Sequence, residues 1–139
     1  MVLRPLDIDP SNCFIAGAWV KPLSGQTLPL MNPSDGSTLC EIARGQSGDI
    51  DAAVAAADAA LSGEWGKATA AERGRMLAKI GRAVLEHVDE LAQLEAMDVG
   101  KPLKQARADV LALARYMEFY GGAADKVHGE TIPYLDGYT

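Results

Sequence analysis

The sequence lacks the features that mark several large classes of protein. Its 139 residues carry 13 Lys and Arg against 19 Asp and Glu, a net charge of −6. Nucleic acids and anionic membranes need clustered positive charge, so neither is expected as a partner. The longest apolar stretch, residues 52–61, is interrupted by Asp58 and is far too short to span a bilayer. The first ten residues lack the apolar segment of a secretory signal.

Cysteine and histidine are scarce, and neither points to a catalytic site. Cys13 and Cys40 have apolar neighbours and no C-x-x-C spacing, which predicts buried free thiols in a reducing, cytoplasmic setting. His87 and His128 lie far apart, without carboxylates at ligand spacing. His87 is expected to complement a helix dipole or to face solvent, and His128 is expected to have a structural, hydrogen-bonding role. Glycine-rich nucleotide loops, G-x-S-x-G and H-E-x-x-H are also absent. The residues alone therefore disclose no reaction.

Two β-hairpins are predicted in the first third of the chain. The segment "CFIAGAWV" places Gly17-Ala18 between two apolar arms, and "LPLMNPSDGSTLCEIA" places Asn-Pro-Ser-Asp-Gly between two more. Pro29 and Pro33 cannot donate ladder hydrogen bonds. The strand between them is therefore expected at a sheet edge or to be irregular.

From Ser47 onward the apolar period changes to 3.6 residues, which predicts about four helices. The first is expected from about Gly48 to Leu61 with Ser47 as its N-cap. Its apolar stripe comprises Ile50, Ala53, Val54, Ala57 and Leu61, with Asp49, Asp51 and Asp58 mostly off it. The second follows Thr69, whose spacing to Glu72 is that of a capping box, and runs to about His87.

The third and fourth helices are delimited by proline and glycine. Asp89 is the expected cap of the third helix, and Gly100 is expected to stop it. Pro102 opens the fourth helix, which should continue to Gly121-Gly122. The closing stretch, "HGETIPYLDGYT", is β-like with two turn signals.

Asp98, within "EAMDVGKPL", is the residue that breaks a local rule. It lies at the carboxyl end of the third predicted helix, where unpaired carbonyls carry negative charge and an acid costs a few tenths of a kcal/mol. Lys101 could neutralise it and leave nothing further to explain. A functional role for Asp98 is the other interpretation, because broken local rules are frequent at functional sites.

The order of the motifs carries more information than any single motif. Over nearly all of its length the chain resembles the amino-terminal part of the NAD(P)-dependent aldehyde dehydrogenase superfamily, through these segments in this order: "FIAGAWV", "NPSDGSTLCEIARG", "DIDAAVAAADAAL", "AERGRMLAKI", "LAQLEAMDVGKP" and "FYGGAADKVHGETIP". The resemblance implies an α/β fold in the intact family. In this chain it implies β-hairpins, about four α-helices and a terminal β-segment, which together form an incomplete Rossmann-type domain.

The resemblance also implies an activity. Members of the family oxidise an aldehyde to a carboxylic acid with NAD or NADP, through a cysteine thioester that a glutamate-activated water hydrolyses. Residues 1–139 would be the amino-terminal part of the cofactor-binding domain of a homo-oligomeric (dimeric or tetrameric) enzyme. The family's "PWN", G-x-T-x-x-G, "ELGGK" and G-Q-x-C motifs have no counterpart here, so no catalytic residue is carried over and the chain alone is expected to be inactive.

One family site does match this chain. Many members hold K⁺ or Na⁺ with a carboxylate like that of Asp98 and with backbone carbonyls just before "NP", which here belong to Leu30 and Met31. Met97 replaces the family's usual Leu. Hard cations prefer such oxygen ligands.

A second hypothesis comes from a different class of function. The chain would be a non-catalytic helical interaction module that docks on a partner dehydrogenase. Under the resemblance, by contrast, later sequence of the intact enzyme would bury the apolar faces of the helices, and the isolated chain would expose them.

Overall fold

The computed structural model describes residues 9–129, and its elements follow the predicted order of hairpins and then helices. The strands are β1 (Cys13–Ile15), β2 (Ala18–Val20), β3 (Thr27–Met31) and β4 (Thr38–Ala43). The helices are α1 (Ser47–Ser62), α2 (Glu64–Lys67), α3 (Ala70–Glu86), α4 (Val88–Val99) and α5 (Leu103–Ala123). The chain is thus a partial α/β domain, as predicted, with the single-turn α2 added to the four longer helices. The predicted terminal β-segment lies, from residue 130 on, outside the described residues.

The first hairpin turns one residue earlier than the sequence predicts. β1 and β2 are antiparallel with Ile15 paired to Ala18, so the turn consists of Ala16 and Gly17. Both turn residues have positive φ, 54° at Ala16 and 79° at Gly17, as a tight two-residue hairpin loop requires. The predicted Gly17-Ala18 turn was wrong because the tight loop accepts alanine at its first position.

The second hairpin agrees with the sequence prediction. β3 and β4 form a two-stranded antiparallel sheet, so the proline-containing strand is an edge strand. The register is Leu30 opposite Cys40 and Met31 opposite Thr38, which leaves Leu39 as an extra residue and interrupts the ladder between Leu30 and Met31.

Helix α1 differs from its prediction in its cap and in its buried face. Gln46 is the N-cap, one residue before the predicted Ser47. The backbone amide of Gln46 donates to Asp49 Oδ2 at 2.8 Å. Asp49 is buried, and its other oxygen accepts from the Leu23 backbone amide at 2.9 Å, which compensates the loss of water. The predicted apolar stripe is exposed in its large members, Ile50, Val54 and Leu61.

Helices α3 and α4 begin and end through local chemistry. The capping box is confirmed, since the Glu72 amide donates to Thr69 Oγ1 at 3.2 Å and the Thr69 amide donates to Glu72 Oε2 at 2.7 Å. His87 ends α3 and caps α4, so the predicted cap at Asp89 was wrong, and that acid lies in the first turn instead. Gly100 ends α4 as predicted, in the left-handed conformation with φ 72°.

Helix α5 begins after Pro102, which is its N-cap rather than a first-turn residue. The helix continues through the predicted stop at Gly121-Gly122 to Ala123. Two glycines alone cost a helix only about 1 kcal/mol each, which tertiary packing outweighs here.

The core lies where α5 packs against α3 and α4, and it is built from small side chains. Its buried apolar residues are Val88, Ala92, Ala106, Val110 and Ala114. Helices α3 and α5 approach closely, because a Cβ atom added at Gly74 would lie 2.3 Å from the Gly121 carbonyl oxygen. Larger apolar residues of α3, such as Met76 and Ile80, stay exposed. Among the described residues, no helix is both long and apolar enough to cross a bilayer.

Candidate functional site

The carboxyl end of α4 is the candidate site, because the acid that stands there has no compensating charge from the described residues. Asp98 is the penultimate residue of the helix and is exposed, and the last turn contains no basic residue. Over residues 9–129, the hydrogen bonds and ion pairs include none made by the Asp98 carboxylate. Its charge therefore adds to the negative end of the helix dipole.

Lys101 does not neutralise Asp98, so the simpler interpretation of the sequence was wrong. Its ammonium donates to Glu95 Oε1 at 2.5 Å and to Asp109 Oδ2 at 2.9 Å. The hydrogen bonds to Glu95 and then to Asp109 raise the pKa of Lys101, and the Lys101 contact together with Gln105 lowers the pKa of Asp109. This three-residue network joins α4, the α4–α5 loop and α5.

The second hairpin reaches the same end of α4. A Cβ atom added at Gly100 would lie 2.8 Å from Cγ of Pro33, so the turn after β3 is in contact with the residue that ends the helix. Asn32 shapes this turn, because its Oδ1 accepts from the Ser34 amide at 2.9 Å. The contact places the backbone that follows Leu30 and Met31 beside the carbonyl-rich end of α4.

The ligand atoms that the second hairpin and the end of α4 could offer to a cation are oxygens. The strand ladder is irregular between Leu30 and Met31, where the extra residue Leu39 interrupts the regular pairing of backbone groups. Within the described part of the chain, no group of three or more His, Cys, Asp or Glu side chains could hold a metal ion. One carboxylate with carbonyls is a low-charge donor set, which suits a hard monovalent cation better than a transition metal.

The other candidate residues do not assemble into a catalytic centre. Cys13 and Cys40 are free thiols, but they are half-buried, whereas buried thiols were predicted. His87 Nδ1 lies 3.2 Å from Glu90 Oε2 at the edge of an open depression of about 350 Å³, and His128 is exposed. Neither thiol makes a hydrogen bond to a histidine among residues 9–129.

Two sets of side-chain contacts were not predicted from the sequence: those of Lys101, beside the candidate site, and those of Arg73. Glu95 and Asp109 fix Lys101, and their spacings of six and eight residues from it follow no helical period, because a loop intervenes. The Arg73 guanidinium lies over the Trp65 ring, 5.3 Å from its centroid, and donates to the Trp65 carbonyl at 3.2 Å. Contacts of this kind depend on tertiary structure, and no local sequence signal would have revealed them.

A family model supplies the first comparison with known proteins. The model described as the aldehyde dehydrogenase family matches residues 19–139. The chain is 43% identical over 124 residues to a hydroxyisobutyraldehyde dehydrogenase of Mycolicibacterium austroafricanum, covering 88% of this chain and 24% of that protein. It is 39% identical over 131 residues to a mitochondrial benzaldehyde dehydrogenase of Antirrhinum majus, covering 93% and 24%.

Solved structures agree with the sequence relatives. A Burkholderia cenocepacia protein classed with the aldehyde dehydrogenases matches with a TM-score of 0.85 and 58% identity, over 89% of this chain and 26% of that one. The NAD⁺ complex of an aldehyde dehydrogenase from Bacillus cereus matches with a TM-score of 0.84 and 39% identity, over 90% and 26%. The chain thus spans about a quarter of the length of the proteins that it matches.

Proposed function

Because the chain belongs to the aldehyde dehydrogenase family, we propose that it forms the amino-terminal part of an enzyme that oxidises an aldehyde to a carboxylic acid. The balanced reaction consumes the aldehyde, water and NAD(P)⁺ and yields the acid, NAD(P)H and a proton. NAD(P)⁺ would accept the hydride from the aldehyde carbon. The family match over residues 19–139 is the observation that carries this proposal, and the relatives in complex with NAD⁺ support it.

In this proposal, residues 1–139 contribute to the cofactor-binding domain and none of them is catalytic. The half-buried thiols of Cys13 and Cys40 lie in the hairpins without a histidine partner among the described residues, which is no setting for an activated nucleophile. The nucleophile and the general base would lie in the three quarters of the relatives that this chain does not match. The active enzyme would be a cytoplasmic homo-oligomer.

The described residues would serve the enzyme as a rigid support. Helix α5 packs on α3 through glycines and on α4 through small apolar residues, and the Lys101 network fixes the α4–α5 connection. Large exposed side chains, including Tyr116, Phe119 and Tyr120 on α5, offer apolar surface that further sequence of an intact enzyme would cover.

Asp98, Leu30 and Met31 would bind a monovalent cation, K⁺ or Na⁺. The Asp98 carboxylate, which pairs with no described basic residue at its helix carboxyl end, and the backbone oxygens of the bulged strand support this part of the proposal. The Pro33 contact with Gly100 places the two elements side by side. The cation would be structural, since it would join the hairpin to α4.

A chimaeric enzyme tests the proposal. Residues 19–139 of this chain replace the matching quarter of the Burkholderia cenocepacia protein, to which this chain is 58% identical over the matched region. Aldehydes of several classes are offered with NAD⁺ or NADP⁺, and NAD(P)H formation is followed by its absorbance. We expect turnover by the chimaera and by its parent, and none by the 139-residue chain alone.

Two outcomes would contradict the proposal. Turnover by the pure 139-residue chain would show that catalytic groups are present in it. A folded chimaera that binds NAD⁺ but oxidises no aldehyde accepted by the parent would show that this chain does not serve as the support. In the second case, stable capture of a separate dehydrogenase by the chain would favour the interaction-module hypothesis, which the exposed apolar residues also suit.

A further inference from the structure

The ammonium group nearest in sequence to Asp98 is held by two other carboxylates. Lys101 follows Asp98 by three residues, yet its Nζ donates to Glu95 Oε1 at 2.5 Å and to Asp109 Oδ2 at 2.9 Å. The Lys101 side chain is only 28% exposed in this arrangement. Gln105 Nε2 donates to the second oxygen of Asp109 at 2.9 Å, which fixes the orientation of that carboxylate.

A lysine just beyond the end of a helix ordinarily has a different partner. It hydrogen-bonds the last carbonyls or pairs with an acid in the last turn, where the helix dipole favours positive charge. Lys101 has the position for such a role, because only the left-handed turn at Gly100 separates it from α4. In that role its ammonium would neutralise Asp98 and repel any other cation from the same oxygens.

We propose that Glu95 and Asp109 are positioning residues that hold the Lys101 ammonium away from Asp98 and so leave the Asp98 carboxylate free to bind a monovalent cation. This inference rests on the proposed cation site. Glu95 and Asp109 would not touch the cation. They would affect its binding by fixing the position of the Lys101 ammonium, which competes for the same carboxylate.

The electrostatics of the network agree with this role. The hydrogen bonds to Glu95 and then to Asp109 raise the pKa of Lys101. Because the ordinary pKa of lysine, about 10.4, already lies far above 7, the ammonium would also stay charged, and remain a competitor, once it was released. The two carboxylates lie on different helices, Glu95 on α4 and Asp109 on α5. The position of Lys101 therefore depends on the packing of α4 against α5 and is set by the fold.

Variants that release Lys101 test the inference in the full chain. The double variant Glu95→Gln/Asp109→Asn keeps the shapes of both side chains and removes their charges. The triple variant adds Lys101→Met, which removes the competing ammonium. Sodium NMR linewidths and melting temperatures are recorded while Na⁺ or K⁺ replaces tetramethylammonium at constant ionic strength, and circular dichroism checks that each variant is folded.

We expect the double variant to need at least about fivefold more Na⁺ or K⁺ for half of the cation-specific effect, the size expected of one unit charge released a few ångströms away. The triple variant should recover the response of the unmodified chain. Should the double variant fail to fold, Asp109→Asn alone removes one of the two holding carboxylates and should cause a smaller shift in the same direction. An unchanged response in whichever of these variants folds would overturn the inference.

Asp98→Asn separates failure of the inference from failure of the site. If the unmodified chain shows a cation-specific response that Asp98→Asn abolishes, the site exists and the Lys101 variants then decide the inference. If the unmodified chain and Asp98→Asn respond alike, the cation site itself is contradicted and the inference falls with it.

Discussion

Pro33 lies against Gly100, so that the turn of the second hairpin touches the residue that ends α4. The proline ring occupies the space in which a side chain at Gly100 would stand, with Cγ 2.8 Å from the position of an added Cβ. Gly100 also has φ 72°, a conformation that side-chain-bearing residues rarely adopt. The glycine therefore both ends the helix and lets the hairpin turn approach the carboxyl end of α4.

Gly100→Ala should destabilise the chain by about 2 kcal/mol, because left-handed strain and the Pro33 contact act together. Urea unfolding followed by circular dichroism measures the effect. Gly36→Ala is the matched control, since Gly36 has nearly the same φ, 73°, but nothing within 4 Å of an added Cβ. The control should lose only about 1 kcal/mol from strain. Equal losses in the two variants would show that the Pro33 contact has no energetic role.

The crossing of α3 and α5 gives a second prediction. Gly74→Ala would place a methyl group 2.3 Å from the Gly121 carbonyl oxygen, so the helices must separate. We expect a loss of about 1–3 kcal/mol, the usual range for overpacking.

Gly122→Ala is the control for this crossing. Gly122 follows Gly121 in α5, but a Cβ atom added at Gly122 would meet nothing within 4 Å. Alanine there should be neutral or should stabilise the helix by up to about 1 kcal/mol. A Gly74→Ala variant as stable as Gly122→Ala would contradict the close helix crossing.

The sequence predicted those features that depend on a few neighbouring residues. The Thr69–Glu72 capping box, the stop at Gly100 and the second hairpin all follow from local backbone chemistry. The order of several motifs also predicted the family, which the family model over residues 19–139 confirms. The cation ligands, the domain assignment, the oligomeric state and the location in the cell stay predictions.

Features set by tertiary contacts were not predictable from local patterns. The apolar period of α1 indicated a buried stripe, whereas the large members of that stripe are exposed. Asp49 is buried instead, and its carboxylate accepts from the backbone amide of Leu23, 26 residues away. The sequence allowed Lys101 to neutralise Asp98, as one of two alternatives, whereas α4–α5 packing supplies Glu95 and Asp109 as the partners of Lys101. Periodicity predicts which positions of a helix share an apolar face, but it does not predict which residues distant in sequence are in contact.

The two helix caps allow the sequence interpretation and the structure to be compared directly. Thr69→Ala removes the acceptor of the Glu72 amide and should cost about 1 kcal/mol of unfolding free energy. Ser47→Ala should be nearly neutral, because Gln46 is the N-cap of α1 and Ser47 is already helical. Urea unfolding of both variants decides the matter. A loss at Ser47 as large as that at Thr69 would restore Ser47 as the cap.

The last prediction concerns the pH dependence of stability, and it centres on Asp49. The Gln46 amide and then the Leu23 amide lower the pKa of its carboxyl below the ordinary value of about 3.9. A carboxyl with a lowered pKa in the folded state stabilises the fold in full above its unfolded-state pKa, and this contribution is lost as pH falls through the lower folded-state pKa.

Asp49→Asn should therefore be less stable than the unmodified chain at pH 6, and the difference should shrink as pH falls below about 4. The other carboxyls with lowered pKa values occur in both proteins and cancel in the difference. The measurement is a series of urea unfolding curves between pH 6 and pH 2. Asp51→Asn is the control, because Asp51 also lies in α1 but is exposed and makes no side-chain hydrogen bond among residues 9–129. If the difference at Asp49 stayed constant across this range, the two backbone amides would not be what stabilises its ionised form.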